Sequence, residues 1–197
     1  MLKRLFDLFS SAIGILILSP ILLSLWLIVV IDSKGGGFYR QVRVGLNGRD
    51  FKLWKFRTMR IGADQKGLLT VGGRDPRVTR VGFYLRKYKL DELPQLFNVF
   101  VGEMSLVGPR PEVRRYVDLY TQDQRQVLSI RPGITDYASI AYSNENDLLA
   151  ASSDPEKTYI EEIMPAKLAL NKKYMDEKDV WKDLRILFIT VGKVIRH

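Results

Sequence analysis

The fold of this chain is decided by the apolar run AIGILILSPILLSLWLIVVI, residues 12–31. At 1.5 Å per residue, a helix of this length covers the roughly 30 Å of a bilayer's hydrocarbon layer. A signal peptide would have a shorter apolar core and a small-residue cleavage site, and a buried core helix would rarely be apolar on every face. The run therefore predicts a helix that is embedded in a membrane.

Ser19 and Pro20 lie near the middle of this run and predict that the helix bends or breaks there. Pro20 has no N–H to donate to the carbonyl of Leu16, and its ring presses against that carbonyl. The hydroxyl of Ser19 can bind a freed carbonyl, which makes such a break tolerable in lipid.

Basic residues flank the run on both sides, namely Lys3 and Arg4 before it and Lys34, Arg40 and Arg43 after it. Because basic residues favour the cytoplasmic side of a membrane, both ends are predicted to lie there. A re-entrant helix that breaks at Ser19-Pro20 and returns places both ends on that side, whereas a straight span places only one. Proline also occurs in ordinary spans, so the re-entrant topology is preferred and the spanning one stays open.

The composition excludes several kinds of active site. The chain has no cysteine, and its single histidine is the last residue, His197. Thiolate metal sites, zinc sites of several histidines and Ser-His-Asp triads are therefore excluded, and catalysis must use carboxylates, Lys, Arg or Tyr. The net charge of +9 fits an anionic membrane surface, a phosphate-bearing substrate or nucleic acid.

The glycines at 35–37 form a joint that divides the chain into a membrane helix at 1–34 and one compact cytosolic domain at 35–197. Two β-like runs on either side of Asn47-Gly48 predict a β-hairpin. Because strand side chains alternate, the second run places Lys55 and Arg57 on one face, either as a solvated cationic surface or as an anion site.

The rest of the domain reads as mainly helical, so the predicted fold class is α+β with a small hairpin. Thr79 can cap a first helix, residues 91–100 read as a second, and Asp154-Pro155 is a good start for a third. The C-terminal stretch is an amphipathic helix with Trp181 at one end. Such a stripe is suited to a membrane interface, and it is equally typical of a helix packed on its own core.

Asp91 and Glu92 are the best catalytic candidates, at the predicted start of the second helix. Neighbouring helical side chains point about 100° apart, so one carboxylate can attack while the other holds a metal. A helix N-terminus favours negative charge and is expected to keep Asp91 ionised as a nucleophile. Mg²⁺ usually takes one or two protein carboxylates plus phosphate oxygens, so Glu92 suffices. Taken alone, Asp91 is more simply explained as a helix cap.

The chain also supplies two arginines that are presented by stiff turns. Arg110 lies between two prolines in GPRP, residues 108–111, where a short predicted strand at 105–107 runs into a turn, and Arg131 precedes Pro132-Gly133. Arginine binds phosphate through two parallel hydrogen bonds, so both side chains are candidates for holding a phosphate group.

Five segments of the chain, taken in order, resemble the bacterial sugar transferases, the monotopic phosphoglycosyl transferases that start membrane glycan assembly. They are KFRTM at 55–59, LRK at 85–87, DELPQLFN at 91–98, SLVGPRP at 105–111 and RPGIT at 131–135. The likeness covers essentially the whole chain, including the membrane helix. The short length of the chain resembles that of the small, PglC-like members.

The resemblance implies a reaction in which a UDP-sugar, expected to carry an N-acetylated amino sugar, gives its sugar-1-phosphate to polyprenol (undecaprenyl) phosphate and releases UMP. It implies that Asp91 is the nucleophile and carries a covalent phosphosugar, and that Glu92 is associated with Mg²⁺. Arg110 would hold phosphate. It also implies a re-entrant membrane helix broken at Ser19-Pro20, a catalytic domain on the cytoplasmic face of the bacterial inner membrane, and a role at the first membrane step of glycoconjugate synthesis.

The remaining basic candidates, with less certain roles in phosphate binding, are Lys55, Arg57, Arg86 and Arg131. Many family members continue the PGIT motif with Gly-Trp-Ala, whereas this chain has Asp136-Tyr137-Ala138, which puts sugar or nucleotide specificity in doubt. The expected partners are a UDP-sugar, polyprenol phosphate and membrane lipid, without nucleic acid, and dimerisation stays open. The alternatives are a non-catalytic membrane-anchored assembly partner and a basic nucleic-acid-binding protein.

Overall fold

A computed structural model describes residues 2–63, 67, 69–71, 75–177 and 179–195, without the side chains of 194 and 195. The predicted mainly helical architecture with a small hairpin is confirmed. The helices are α1 (Leu2–Asp32), α2 (Arg80–Lys87), α3 (Gln95–Val101), α4 (Arg114–Val117), α5 (Tyr137–Ala141), α6 (Glu145–Ala150), α7 (Pro155–Thr158), α8 (Met164–Glu177) and α9 (Val180–Ile195). The strands are β1 (Phe38–Val44), β2 (Asp50–Phe56), β3 (Ser105–Val107) and β4 (Gly133–Thr135).

Helix α1 continues through Pro20 without interruption, so the expected break at Ser19-Pro20 is absent from its secondary structure. The hydroxyl of Ser19 donates to the carbonyl oxygen of Leu16 at 2.8 Å. Pro20 has no N–H to donate to this carbonyl. Because the serine supplies the missing donor, the helix continues with the carbonyl satisfied. Among the described residues, α1 is the helix long and apolar enough to cross a membrane, by length and composition alone.

The N-terminal end of α1 is attached to the domain by polar contacts. Arg4 donates to the carbonyl of Val99 at 2.6 Å, at the end of α3. The buried carboxylate of Asp7 accepts the backbone N–H of Leu106 in β3 at 3.1 Å. Sequence reasoning did not find Asp7, because its partner is distant in the chain.

The C-terminal end of α1 is attached to the same domain. Asp32 accepts the backbone N–H of Val81 at the start of α2, at 3.2 Å. Leu22 and Val29 are buried against Leu85 of α2. Both ends of α1 therefore lie against one domain.

The middle of α1 and the outer face of α9 leave large apolar side chains exposed. These residues include Ile13, Leu16, Ile17, Ile21 and Leu23 in α1 and Trp181, Phe188 and Val191 in α9. On the opposite face of α9, Ile186 and Asp183 are buried. The apolar residues of α9 are therefore divided between a face that packs on the domain and a face that is directed outward.

The hairpin predicted around Asn47-Gly48 is confirmed. Strands β1 and β2 are antiparallel, with Val44 opposite Asp50 at the turn. Asn47 and Gly48 both adopt left-handed conformations, with φ of 54° and 74°, which Asn and Gly tolerate best.

The hairpin also organises the core. Val44 packs with buried residues of α4, α6 and α8, and Leu53 packs with buried residues of α3, β3 and α9. Phe56 packs against α1 and α2. Each such side chain contributes roughly 1.5–3 kcal/mol on burial, so the two strands connect α1 to the rest of the domain.

Strands β3 and β4 form a parallel pair, with Ser105 opposite Gly133. The sequence predicted a strand at the first position and only a rigid turn at the second. A Cβ on Gly133 would lie 2.1 Å from the backbone nitrogen of Gly108, so a side chain has no room there. This close approach joins the GPRP and RPGIT segments, which lie apart in the sequence.

Two predicted helix caps are confirmed. Thr79 accepts the N–H of Gly82 at 3.0 Å, and Asp154 accepts the N–H of Lys157 at 3.0 Å. The helix predicted over 91–100 begins later, with Pro94 as the N-cap of α3.

Proline causes this late start. Because Pro94 has no N–H for the carbonyl of Leu90, that carbonyl accepts the N–H of Leu93 at 3.3 Å, and Leu90–Glu92 form a 3₁₀ turn instead.

Candidate active site

Asp91 and Glu92 lie in the short 3₁₀ turn between α2 and α3. Lys89, immediately before this turn, has a left-handed backbone with φ of 56°. A non-glycine residue in this conformation is uncommon and is often found at functional sites. Asp91 is 7% exposed and does not cap α3, so its explanation as a helix cap does not hold.

Glu92 is held by two cations from different parts of the chain. Lys55 of β2 donates to its Oε1 at 3.0 Å. Arg110, which follows β3, donates from Nη1 to Oε2 at 3.0 Å and from Nη2 to Oε1. The structure therefore brings three of the predicted site residues into direct contact.

The two carboxyl groups differ in their electrostatics. Burial raises the pKa of Glu92, but the charges of Arg110 and Lys55 outweigh it and hold that pKa well below the ordinary value. Burial raises the pKa of Asp91, the charge of Glu92 adds to this, and Lys55 and Arg86 oppose it.

Asp91 was expected to lie at a helix N-terminus that favours its ionised form, but it does not occupy that position, and its ionisation stays a prediction. Asp91 lies in a buried 3₁₀ turn before α3 rather than at the N-terminus of that helix, and desolvation dominates its pKa. Neighbouring carboxyl groups whose pKa values are moved apart are typical of catalytic sites, where each group has a different role.

The amine of Lys55 is affected by the same environment. Burial lowers the pKa of Lys55, Glu92 opposes that shift, and Arg110 adds to it. A phosphate group entering beside Lys55 and Arg110 would find two cations, together carrying more charge than Glu92 neutralises.

Arg110 is positioned through its backbone as well as its guanidinium. Its N–H, between two prolines that have none, donates to Asp136 Oδ2 at 3.1 Å. The other oxygen of Asp136 accepts the N–H of Ser139 at 2.6 Å and caps α5. Asp136 is fully buried. An Asp three residues before Ser139 is a sequence signal for a helix N-cap, and the sequence analysis did not use it.

The other predicted basic residues divide into two groups. Arg86 donates to the hydroxyl of Thr70 at 2.7 Å and lies close enough to Asp91 to lower its pKa. Arg57 donates to the carbonyl of Gly36 at 3.1 Å, and Arg131 donates to the carbonyl of Gly102 at 2.9 Å. Arg86 therefore lies near Asp91, whereas Arg57 and Arg131 are each bound to a backbone carbonyl.

A pocket opens beside these arginines, which we call the side pocket. Its polar lining includes Arg43, Arg86, Arg110, Glu145, Lys167 and Asn171. Apolar residues of α6 and α8, including Leu149 and Leu168, complete its walls. Sequence reasoning did not find this pocket, because its walls come from distant elements.

The carboxylates suit a magnesium ion only together with a substrate. No group of three or more His, Cys, Asp or Glu side chains that could hold a metal occurs within the described part of the chain. Mg²⁺ often takes one or two carboxylates and completes its shell with water and phosphate oxygens. Asp91 and Glu92 are hard oxygen ligands in the right number for this kind of site.

The whole chain, residues 1–197, matches the family model described as bacterial sugar transferase. The chain therefore belongs to the bacterial sugar transferase family, as the sequence motifs predicted. The extent of the match agrees with a fold in which α1 and the rest of the chain are packed together.

Three relatives illustrate the similarity. The UDP-glucose:undecaprenyl-phosphate glucose-1-phosphate transferase of Escherichia coli (strain K12) is 36% identical, over 98% of this chain and 40% of the relative. The UDP-N-acetylgalactosamine-undecaprenyl-phosphate N-acetylgalactosaminephosphotransferase of Aeromonas hydrophila is 35% identical, over 98% and 44%. An uncharacterized sugar transferase, EpsL, of Bacillus subtilis (strain 168) is 41% identical, over 98% and 87%. This chain spans about two fifths of the length of the first two relatives.

Proposed function

We propose that this chain transfers a sugar-1-phosphate from a UDP-sugar to polyprenol phosphate, releases UMP, and forms a covalent intermediate on Asp91. Membership of the family and the names of the E. coli and A. hydrophila relatives support the reaction class. The observation that carries the residue assignment is the buried Asp91 next to Glu92, whose two oxygens are bound by Lys55 and Arg110.

In the proposed first step, a carboxylate oxygen of Asp91 attacks the phosphorus that carries the sugar. An acyl-phosphate bond forms, the bond from that phosphorus to the bridging oxygen breaks, and UMP leaves with the bridging oxygen and its electron pair. In the second step, a phosphate oxygen of the polyprenol phosphate attacks the same phosphorus and releases the Asp91 carboxylate.

Arg110, Lys55 and Arg86 would stabilise the negative charge of the phosphate groups during both steps. Glu92, together with phosphate oxygens, would hold Mg²⁺, which supplies further positive charge against the leaving phosphate. Because both oxygens of Glu92 are engaged by Arg110 and Lys55, the entering phosphates would share these cations with Glu92.

The proposed donor carries an N-acetylated amino sugar. The name of the A. hydrophila relative supports this choice, while the name of the E. coli relative specifies glucose. A comparison of UDP-glucose with UDP-N-acetylgalactosamine as donors therefore tests it, and a clear preference for UDP-glucose would contradict it.

We further propose that α1 is re-entrant, with a bend at Ser19-Pro20 that returns the helix to its side of entry without breaking it, and that the catalytic domain lies on the cytoplasmic face of the bacterial inner membrane. Both ends of α1 are bonded to one domain, through Arg4 to Val99 and through Asp32 to Val81, which supports a return to the side of entry. The outward Trp181 of α9 supports contact of that helix with the membrane interface.

The test uses the full chain in detergent with a UDP-sugar labelled in the sugar, polyprenol phosphate and Mg²⁺. Release of UMP and a protein-bound label in the absence of acceptor are the expected results. Asp91→Asn is expected to lose both, whereas Asp118→Asn, at an exposed position, should keep both. UMP release by Asp91→Asn at the wild-type rate would contradict the assignment.

A further inference from the structure

The side pocket contains charged and polar groups that the proposed phosphate chemistry does not use. Lys167 of α8 forms an ion pair with Glu145 of α6 at 2.7 Å, and both side chains are largely buried, at 15% and 25% exposed. Such a pair costs desolvation energy and is weak evidence for a role in stability alone. Because both side chains of this ion pair line the side pocket, we explain the pair by a role in ligand binding.

Asn171 is a second and independent observation. It lies one helical turn after Lys167 in α8, it lines the side pocket, and it is only 4% exposed. Its Oδ1 is buried without a hydrogen-bond partner in the described structure. A buried polar atom without a partner is costly, and a rotation of the Asn171 side chain would turn its amide toward a ligand in the side pocket, so the unsatisfied acceptor indicates a group that donates to it.

The neighbouring Glu112, by contrast, is fully engaged within the protein. Arg43 and the hydroxyl of Tyr159 bind its two oxygens. The ring of Tyr159 lies between Tyr116, with centroids 4.9 Å apart, and the amine of Lys167, 5.4 Å from its centroid. This aromatic ring is therefore already packed and is poorly placed to stack on a nucleobase.

We infer that the side pocket binds the sugar of the UDP-sugar donor, with Glu145, Lys167 and Asn171 recognising its hydroxyl or amide groups. This inference rests on the proposed function. A carboxylate, an amine and an amide together provide donors and acceptors for hydroxyl groups, and Leu149 and Leu168 provide apolar walls for the C–H faces of a ring.

The location of the pocket agrees with this role. Arg110 lines it and also contacts Glu92, so one arginine borders both the pocket and the catalytic pair. Arg86 likewise lines the pocket and acts on the pKa of Asp91. A sugar attached to a phosphate at these arginines can therefore extend toward Glu145 and Lys167.

The experiment compares the wild-type chain with Glu145→Gln and Asn171→Leu on UDP-glucose, UDP-galactose and their two N-acetylated amino-sugar counterparts. Glu161→Gln, at an exposed position of the same region, is the matched control. We expect kcat/KM for the preferred donor to fall about 10-fold or more in each pocket variant, and the order of preference among the donors to change. Inhibition by UMP should be unchanged.

Two results would overturn the inference. If inhibition by UMP weakened in the pocket variants in proportion to the fall in kcat/KM for every donor, the pocket would be assigned to the nucleoside. Unchanged donor preference in a folded Glu145→Gln chain would leave the ion pair a structural role. Asn171 is buried and Asn171→Leu can fail to fold, so thermal unfolding is measured for each variant and Glu145→Gln carries the test alone if needed.

Failure of the proposed function would appear differently. It would show as absence of UMP release by the wild-type chain with all four donors. Calorimetric binding of the same four donors and of UMP to wild type and Glu145→Gln would then still test the pocket. Loss of donor binding with retained UMP binding supports the inference, and equal donor binding by both chains contradicts it.

Discussion

Arg110 binds both carboxylate oxygens of Glu92, although 18 positions separate them in the chain. Arg110 follows β3, which pairs with β4, and Glu92 lies in the 3₁₀ turn that also carries Asp91. Because a planar guanidinium reaches two oxygens at once, the pair fixes the orientation of Glu92 beside the proposed nucleophile.

This geometry predicts that Arg110→Lys is strongly impaired although it keeps its charge. A lysine amine cannot bind two oxygens in parallel, so Glu92 and the substrate phosphates lose their common partner. We expect roughly a 10²-fold loss in the rate of UMP release. Arg114→Lys, in an exposed pair with Asp50, is the control and should stay near wild type; comparable losses in both variants would contradict the prediction.

The pH dependence of the reaction should report the ionisation of Asp91. Burial raises the pKa of Asp91 and Lys55 lowers it, so Lys55→Met should raise that pKa further. Since the attacking carboxylate must be ionised, activity falls as the pH falls through this pKa, and the acidic limb of the profile should move to higher pH in Lys55→Met. Lys52→Met, at an exposed position on the same strand, should leave the limb in place. A shift toward lower pH would show that Lys55 does not act on Asp91 in this way.

The elements that the sequence predicted correctly depend on local chemistry. Asn47-Gly48 forms its turn because these residues tolerate left-handed backbone, and Thr79 and Asp154 cap helices through residues three positions away. The positions of Glu92 and Arg110 in one site could be inferred only from a family resemblance. Nothing local in the sequence indicates that they meet.

Some features of the site depend on long-range packing that the sequence does not show. Arg57 and Arg131 were predicted to bind phosphate, and in the structure each donates to a backbone carbonyl, of Gly36 or Gly102. The burial that raises the pKa of Asp91 arises from tertiary packing. Periodicity in the sequence cannot reveal such packing.

The close approach of β3 and β4 predicts opposite effects at two glycines. Gly133→Ala would place a Cβ 2.1 Å from the backbone nitrogen of Gly108, so the strand pair must separate, and both thermal stability and activity should fall sharply. Gly192 in α9 has open space around its added Cβ, and Gly192→Ala should raise the free energy of unfolding by roughly 0.5–1 kcal/mol. Thermal unfolding of both variants in detergent checks this, and a stable Gly133→Ala chain would contradict the described packing.

Asp183 should be important for stability because it joins three elements. It is 2% exposed, accepts from the hydroxyl of Tyr174 at 2.7 Å, and forms an ion pair with Lys3 of α1. Asp183→Ala removes the shorter hydrogen bond of this hydroxyl, whose other acceptor is the carbonyl of Val107 at 3.2 Å, and also removes the ion pair with Lys3, so we expect a loss of about 1.5–3 kcal/mol in the free energy of unfolding. Glu177→Ala breaks only the exposed pair with Lys182 and should cost less than about 1 kcal/mol. Equal denaturation midpoints for the two variants would rule out this role for Asp183.

The attachment of α1 at both ends predicts its topology. A straight span would carry one end to the far side of the membrane, and Arg4 and Asp7 could then not keep their bonds to Val99 and Leu106 of the domain. The chain has no cysteine, so Leu2→Cys and Lys34→Cys each give a single reactive thiol at an exposed position. In cells whose outer membrane has been removed and whose inner membrane is intact, a membrane-impermeant maleimide should label neither thiol. Both should be labelled once the inner membrane is opened.

Asp118→Cys, on the exposed surface of the catalytic domain, serves as the marker for the cytoplasmic side in this experiment. The re-entrant path requires all three thiols to become reactive together on opening, because each would lie on the same side of the bilayer. Labelling of the thiol at position 2 in intact cells, with the other two protected, would establish a spanning helix. The bonds between the start of α1 and the domain would then have to form differently in the membrane.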